Sequence, residues 1–159
     1  MTNSTGPTTV GELMAVNPIV IGANLPLDEA ADLLDRHHIS GAPVVDAAGS
    51  LVGVLSQTDL VRARSTEYLW VNWPGLAVRH LMTSPAVTVQ RSTPIALAAA
   101  RMERQHIHRL VVVADDDETL PIGILSMTDL VHAIAETFRQ SASKASDAPE
   151  SATSGAPDA

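Results

Sequence analysis

Cysteine is absent from the chain. Disulfides, thiolate metal sites and thiol catalysis are excluded with it. Aromatic residues are scarce, 3% of the total with one Phe, one Tyr and two Trp, while hydrophobic residues reach 45%. A core must therefore be assembled from Val, Ile, Leu, Ala and Met. Positive charge is also short: ten Lys and Arg stand against 18 Asp and Glu, for a net charge of −8. No basic face is available for the phosphates of a nucleic acid or for an anionic lipid surface, so neither is expected as a partner. No stretch approaches the roughly 18 apolar residues that a membrane helix needs. The start, MTNSTGPTTV, lacks the basic-then-apolar order of a secretory signal. A cytoplasmic location is expected.

What is present is repetition, a signal to be sought before others. Residues 53–61 read GVLSQTDLV and residues 123–131 read GILSMTDLV, with seven of nine positions identical. Leu13 and Met14 return as Leu81 and Met82, followed by Pro18 and Pro85. A β-type run comes next, PIVIG in one copy and PAVTVQ in the other. Then a helical segment opens at Pro26 or Pro94. Leu27, Ala30, Ala31 and Leu34 follow helical spacing, and Ile95, Ala98, Ala99 and Met102 repeat it 68 positions later. Proline suits a helix start, where its missing N–H has no intrahelical partner. Asn24 and Ser92, just upstream, are candidate caps. The apolar runs APVVD and RLVVVAD read as buried strands. A turn follows, AAGS or DDDETLP, and then a strand, LVGVL or PIGIL, leading into a helix that begins at Ser56 or Ser126. The turns differ in length, so the offset between copies grows to 70.

Each unit thus reads strand–helix–strand–strand–helix, with a short lead-in helix near 10–14 or 77–82. A unit of about 55 residues buries too small a share of its surface to stand alone. The expected fold is α/β, two repeats packed as a pseudo-twofold pair with clefts at the seams, where small ligands commonly sit. The expected boundaries are a flexible N-terminus over 1–9, repeats over 10–67 and 77–140, an aromatic linker over 68–76 and a disordered tail over 141–159, which has no large apolar residue. The segment STEYLWVNWPGL around that linker holds both tryptophans and the only tyrosine. It reads either as a lid on the core or as a partner surface.

The duplicated phrase supports two readings. Ser-x-x-Asp ahead of an apolar run is a capping box, with Ser56 or Ser126 accepting from helix N–H groups and Asp59 or Asp129 reaching back. Asp is the shorter, weaker choice for that reach. A helix start also gathers free N–H groups and positive potential suited to a phosphate, and a carboxylate one turn in can accept from ribose hydroxyls. Spacing permits the second reading without selecting it.

At this point both units resemble CBS domains, and the pair resembles a Bateman module. The resemblance is carried by HHISGAPVVDAAGSLVGVLSQTDLV (residues 37–61) and QHIHRLVVVADDDETLPIGILSMTDLV (residues 105–131), with LMAVNP and LMTSP upstream. It implies a stand-alone regulatory module that binds AMP, ADP or ATP between the repeats, with S-adenosylmethionine or NADH as further candidates. It assigns ribose to Asp59 and Asp129, with Ser56, Thr58, Ser126 and Thr128 beside them, and counts Ala42 and Pro43 among the binding residues. The segment IHRLVVV is similar to His-Arg segments of the AMP-activated protein kinase gamma subunit, which nominates His108 and Arg109 for phosphate. Arg suits that role because its fork donates two parallel charge-assisted bonds. The first copy departs here, with Ser40 and Gly41 in place of that pair. The implied partners are a second copy of the chain, in a disc-like homodimer, and an unidentified target protein. The competing reading is a constitutive dimerisation scaffold whose clefts hold no ligand.

Catalytic signatures are missing: there is no GxSxG and no Walker-type glycine loop. No enzyme activity and no catalytic cofactor are expected. The six histidines include no HExxH arrangement, and His38 and His106 occupy equivalent positions suited to capping. No metal site is expected, and the acidic run at 115–118 reads as a solvated turn.

Overall fold

A computed structural model describes residues 7–146. The first unit consists of α1 (Val10–Leu13), β1 (Ala15–Val16), β2 (Ile21–Gly22), α2 (Leu27–Arg36), β3 (Gly41–Val45), β4 (Leu51–Ser56) and α3 (Gln57–Ser65). The linker forms α4 (Glu67–Val71) and a 3₁₀ turn (Trp73–Gly75). The second unit comprises α5 (Val78–Leu81), β5 (Thr88–Gln90), α6 (Ile95–Gln105), β6 (Arg109–Val113), β7 (Pro121–Ser126) and α7 (Met127–Ser146). The expected order of elements is therefore observed in both copies, as an α/β pair of repeats.

Within each repeat a parallel pair leads into a hairpin: β2 runs parallel to β3 and β3 antiparallel to β4, as β5, β6 and β7 do. The helical periodicity buries the expected faces. Leu27, Ala30 and Leu34 close one core with Ile21, Val44 and Leu55, while Ala98 and Met102 close the other with Leu110, Val112 and Leu125. His38 and His106 both adopt φ near +52°, the left-handed region, two residues past α2 and one past α6. The amide of Ile39 donates to Leu34 O and that of Ile107 to Met102 O, which stops each helix with a Schellman motif and drives the isoleucine into the core.

The lead-in helices do not stay with the units they open. Val10 and Met14 are buried in the core of the second repeat, and Val78 in that of the first. The exchange is reciprocal down to single bonds. Val10 N donates to Thr93 O and Val78 N to Leu25 O; Ile95 N donates to Thr8 O and Leu27 N to Leu76 O. These last bonds satisfy the starts of α6 and α2, which is why neither expected cap forms. Asn24 instead accepts from Arg79, and Ser92 donates to Asp115. Beyond the lead-ins, β1 pairs with β7, and Thr83 pairs with Val54 in the matching place. The crossing needs a bare backbone beneath it. A Cβ on Gly123 would lie 2.6 Å from Met14 Sδ and 2.9 Å from Ala15 O; one on Gly53 would lie 2.7 Å from Thr83 O and 2.9 Å from Met82 Sδ. The repeated Leu-Met and the repeated glycine are two sides of one contact. Each buried valine at the crossing contributes about 1.5–3 kcal/mol, so neither repeat holds a complete core alone.

Several boundaries shift. Thr8 and Thr9, expected to be loose, are held, with Glu12 accepting from the amides of both. Residues 141–146, expected in the disordered tail, are helical, because α7 continues to Ser146. Its last turns are exposed and rest on local terms: good helix formers, an Arg139–Glu136 ion pair, and hydroxyl bonds from Thr137 and Ser141 to carbonyls one turn back. The rest of that expected tail lies outside the described residues. Among the described residues no helix is long and apolar enough to cross a membrane.

Candidate functional site

Each duplicated phrase places a strand end, a serine and a helix start in one turn. In the first copy the amide and hydroxyl of Ser56 donate to Asp59 Oδ2 at 2.8 and 2.9 Å, and Asp59 N donates to Ser56 Oγ at 3.2 Å. In the second copy Ser126 and Asp129 repeat the same three bonds at the same distances. Asp is therefore long enough for this capping box. The helix starts offer less to a phosphate than the sequence suggests. The first amide of α3, at Gln57, donates to Ser40 O, and that of α7, at Met127, to His108 O. With the Asp59 and Asp129 amides also bonded, these helix ends have fewer amides to offer an anion, and side-chain cations count for more.

Such cations gather at one seam. A cleft of about 220 Å³ runs between the repeats. From the first it takes Val54, Ser56, Thr58, Asp59 and Arg62, and from the second Thr83, Ala86, Val87, His106, Ile107, His108 and Arg109. The nominated ribose and phosphate residues thus meet, but across the repeats: Asp59 of one faces His108 and Arg109 of the other. Arg62 was not anticipated. It lies three residues after Asp59 on α3, and the same-face rule of a helix would have found it. The apolar wall of Val54, Ala86, Val87 and Ile107 was also missed, because it is assembled by the crossing of the lead-in segment.

Arg109 is half-buried at the start of β6. Its guanidinium donates from Nη1 to Ser40 O at 2.7 Å and from Nη2 to Ser40 Oγ at 3.1 Å. Burial lowers its pKa from the ordinary value, and the Asp59 charge opposes that shift. A Cβ on Gly41 would lie 2.1 Å from Nη1. Gly41 is the counterpart of Arg109, so the arginine of one repeat fills the space where a side chain from the other would stand.

Ser126, Thr128 and Asp129 do not line this cleft; the symmetry of the repeats assigns them to the opposite seam. Equivalence by position puts His132, Ser40 and Gly41 there in place of Arg62, His108 and Arg109. Ala42 and Pro43, nominated for binding, do not line the cleft either: Ala42 is fully buried in the first core and Pro43 is buried opposite Val54 in the β3–β4 ladder. The linker divides between its two readings. Trp73 packs on the first core, while Tyr68, Trp70 and Val71 are exposed, Trp70 lying under Arg64 with its ring centroid 4.0 Å from the guanidinium carbon. In the acidic turn Asp117 accepts from the amide and hydroxyl of Thr119, which hold its pKa below the ordinary carboxylate value. No cluster of metal-ligating side chains occurs among the described residues.

Comparison with known proteins agrees with this fold. The CBS domain model matches residues 10–66 and 78–136. A crystal structure of CBSX2 in complex with AMP is 31% identical and superposes with a TM-score of 0.71, covering 84% of this chain and 100% of that one; a second CBSX2 structure, from Arabidopsis thaliana, is 30% identical with a TM-score of 0.69 over 83% and 97%. The CBS domain pair of protein MJ0100, in complex with 5′-methylthioadenosine and S-adenosyl-L-methionine, is 26% identical with a TM-score of 0.73 over 82% of this chain and 99% of that one. A homoserine O-acetyltransferase of Methanocorpusculum labreanum is 35% identical over 124 residues, 78% of this chain but 24% of that protein. An L-aspartate semialdehyde sulfurtransferase of Methanocaldococcus jannaschii is matched over 22% of its length. The chain thus spans about a quarter of these enzymes, in their CBS region. With both repeats matched and the pair superposing on whole CBS-pair structures, the chain belongs to the CBS domain family.

Proposed function

We propose that the cleft at the Asp59 seam binds an adenosine-containing phosphate ligand (AMP, ADP or ATP) and that the module regulates a partner protein without chemistry of its own. The observation that carries this reading is the meeting of Thr58, Asp59 and Arg62 with His108 and Arg109 in one cleft. Ribose hydroxyls donate to Asp59, whose Oδ2 is used by the capping box, leaving Oδ1 for the sugar. The phosphate meets Arg62, His108 and Arg109. The base lies against Val54, Ala86, Val87 and Ile107. Cation-rich walls favour phosphates over the positive sulfonium of S-adenosylmethionine, and NADH, with its pyrophosphate, stays within the class. Binding draws the two repeats together, and the signal it sends is bounded by the ligand's differential affinity for the arrangements available.

The partner surface in this reading is apolar. Met127, Val131, Ile134 and Phe138 form an exposed row on α7, which supports a homodimer or a target-protein contact. That row also favours a second reading, a constitutive assembly scaffold. Melting curves with AMP, ATP, NADH and S-adenosylmethionine separate the two. A ligand at one hundred times its Kd stabilises the fold by about 2.7 kcal/mol, whereas a scaffold melts at one temperature in all four.

A further inference from the structure

The duplicated fold offers two seams, yet the structure puts the arginine of one repeat into the place of the other's. We infer that the chain takes one phosphate-bearing nucleotide, at the Asp59 seam, and that Gly41 is the residue that enforces this. The inference rests on the binding mode just proposed and adds its stoichiometry and its cause.

Residues 41 and 109 are counterparts at the starts of β3 and β6. Their side-chain positions converge on the junction between the repeats, because a Cβ on Gly41 would sit 2.1 Å from Arg109 Nη1. Two arginines could not share that space, and their like charges would repel at such a distance. One must yield, and Gly41 does. The remaining guanidinium is anchored on Ser40, the counterpart of His108, by two bonds. Asp59 is the charge it feels, and it lines the Asp59 cleft. The opposite seam therefore brings no cation of its own at these positions: residue 41 has no side chain, and Ser40 stands in the place of His108, its carbonyl and hydroxyl accepting from an Arg109 that lines the Asp59 cleft. Arg62 deepens the asymmetry, since His132 is its counterpart. The residues that differ between two otherwise matched capping turns are those that would face a phosphate.

The test is a calorimetric titration of the full chain with AMP and, separately, with adenosine. The expected stoichiometry for AMP is one per chain. Arg109→Gln is expected to weaken AMP by about tenfold or more, the scale of losing a bond to a charged group, while adenosine affinity changes little. Gly41→Ala, whose Cβ would displace the guanidinium, is expected to produce the same selective loss from a residue outside the cleft. Its Cβ would also lie 2.9 Å from Leu55 O, so if that variant does not fold, Arg109→Gln carries the result. Two AMP per chain, or one that Arg109→Gln leaves as tight as before, overturns the inference while the nucleotide-binding reading stands. No AMP binding to the wild-type chain overturns both.

Discussion

The two seams share their scaffold and differ in their charge. Ser56 with Asp59 and Ser126 with Asp129 make the same box at the same distances. Around the first lie Arg62, His108 and Arg109; around the second, by position, lie His132, Ser40 and Gly41. A helix cap is thus separable from a ligand site, although one motif serves both. Duplication keeps the fold because each repeat's lead-in completes the other's core. That leaves the junction residues free to diverge, since they contribute little to either core.

The largest expected effect breaks the shared scaffold. Gly53→Val or Gly123→Val would press a side chain against the backbone of the crossing segment. Each should cost about 3 kcal/mol or more, the upper range for overpacking against atoms that cannot move aside. Urea unfolding measures it, and similar losses in the two variants would show that the exchange is reciprocal in energy as well as in geometry. Next comes the difference between seams. Arg109→Gln should weaken AMP by about 1.5–3 kcal/mol and, since its two bonds to Ser40 are lost with it, lower the unfolding free energy in urea by about 1 kcal/mol. Smaller still, Ser56→Ala and Ser126→Ala should each lose about 1 kcal/mol of stability, the worth of an N-cap. Unequal costs would contradict the equivalence of the boxes.

The smallest effect concerns the lead-ins. Bonds from the Thr8 and Thr9 amides hold the exposed Glu12 carboxyl below its ordinary pKa. Its contribution is present above that ordinary value and fades as the pH falls through the lowered one. The gap in Tm between wild type and Glu12→Gln should therefore narrow between pH 7 and pH 3. The counterpart helix α5 should show no such carboxylate-linked change, because its starting amide, at Ala77, donates to His80 Nδ1.

Local features were legible in the sequence. The order of elements, the buried faces of α2 and α6 and both capping boxes rest on residues a few positions apart, and the repeat is legible because such local patterns recur 68 to 70 positions later. The exchange of lead-ins was not, because a contact such as Met14 over Gly123 spans more than one hundred residues and leaves no periodic trace. Asn24 and Ser92 were misjudged as caps for the same reason: distant carbonyls at Leu76 and Thr8 satisfy those helix starts. The motif nominated Asp59, His108 and Arg109 individually, but only the fold pairs the aspartate of one repeat with the histidine and arginine of the other. Arg62 was within reach, one turn beyond Asp59. Ala42 and Pro43 are consecutive in β3 and so point to opposite faces, and both are buried, a covering of the two faces that the strand pattern alone did not reveal.

The most direct test is a side-by-side AMP titration of Asp59→Ala and Asp129→Ala. Both variants lose the same cap and should melt at similar temperatures. The account predicts that Asp59→Ala abolishes AMP binding and that Asp129→Ala retains one equivalent near wild-type affinity. Binding that survives Asp59→Ala, or is lost in Asp129→Ala, would contradict it.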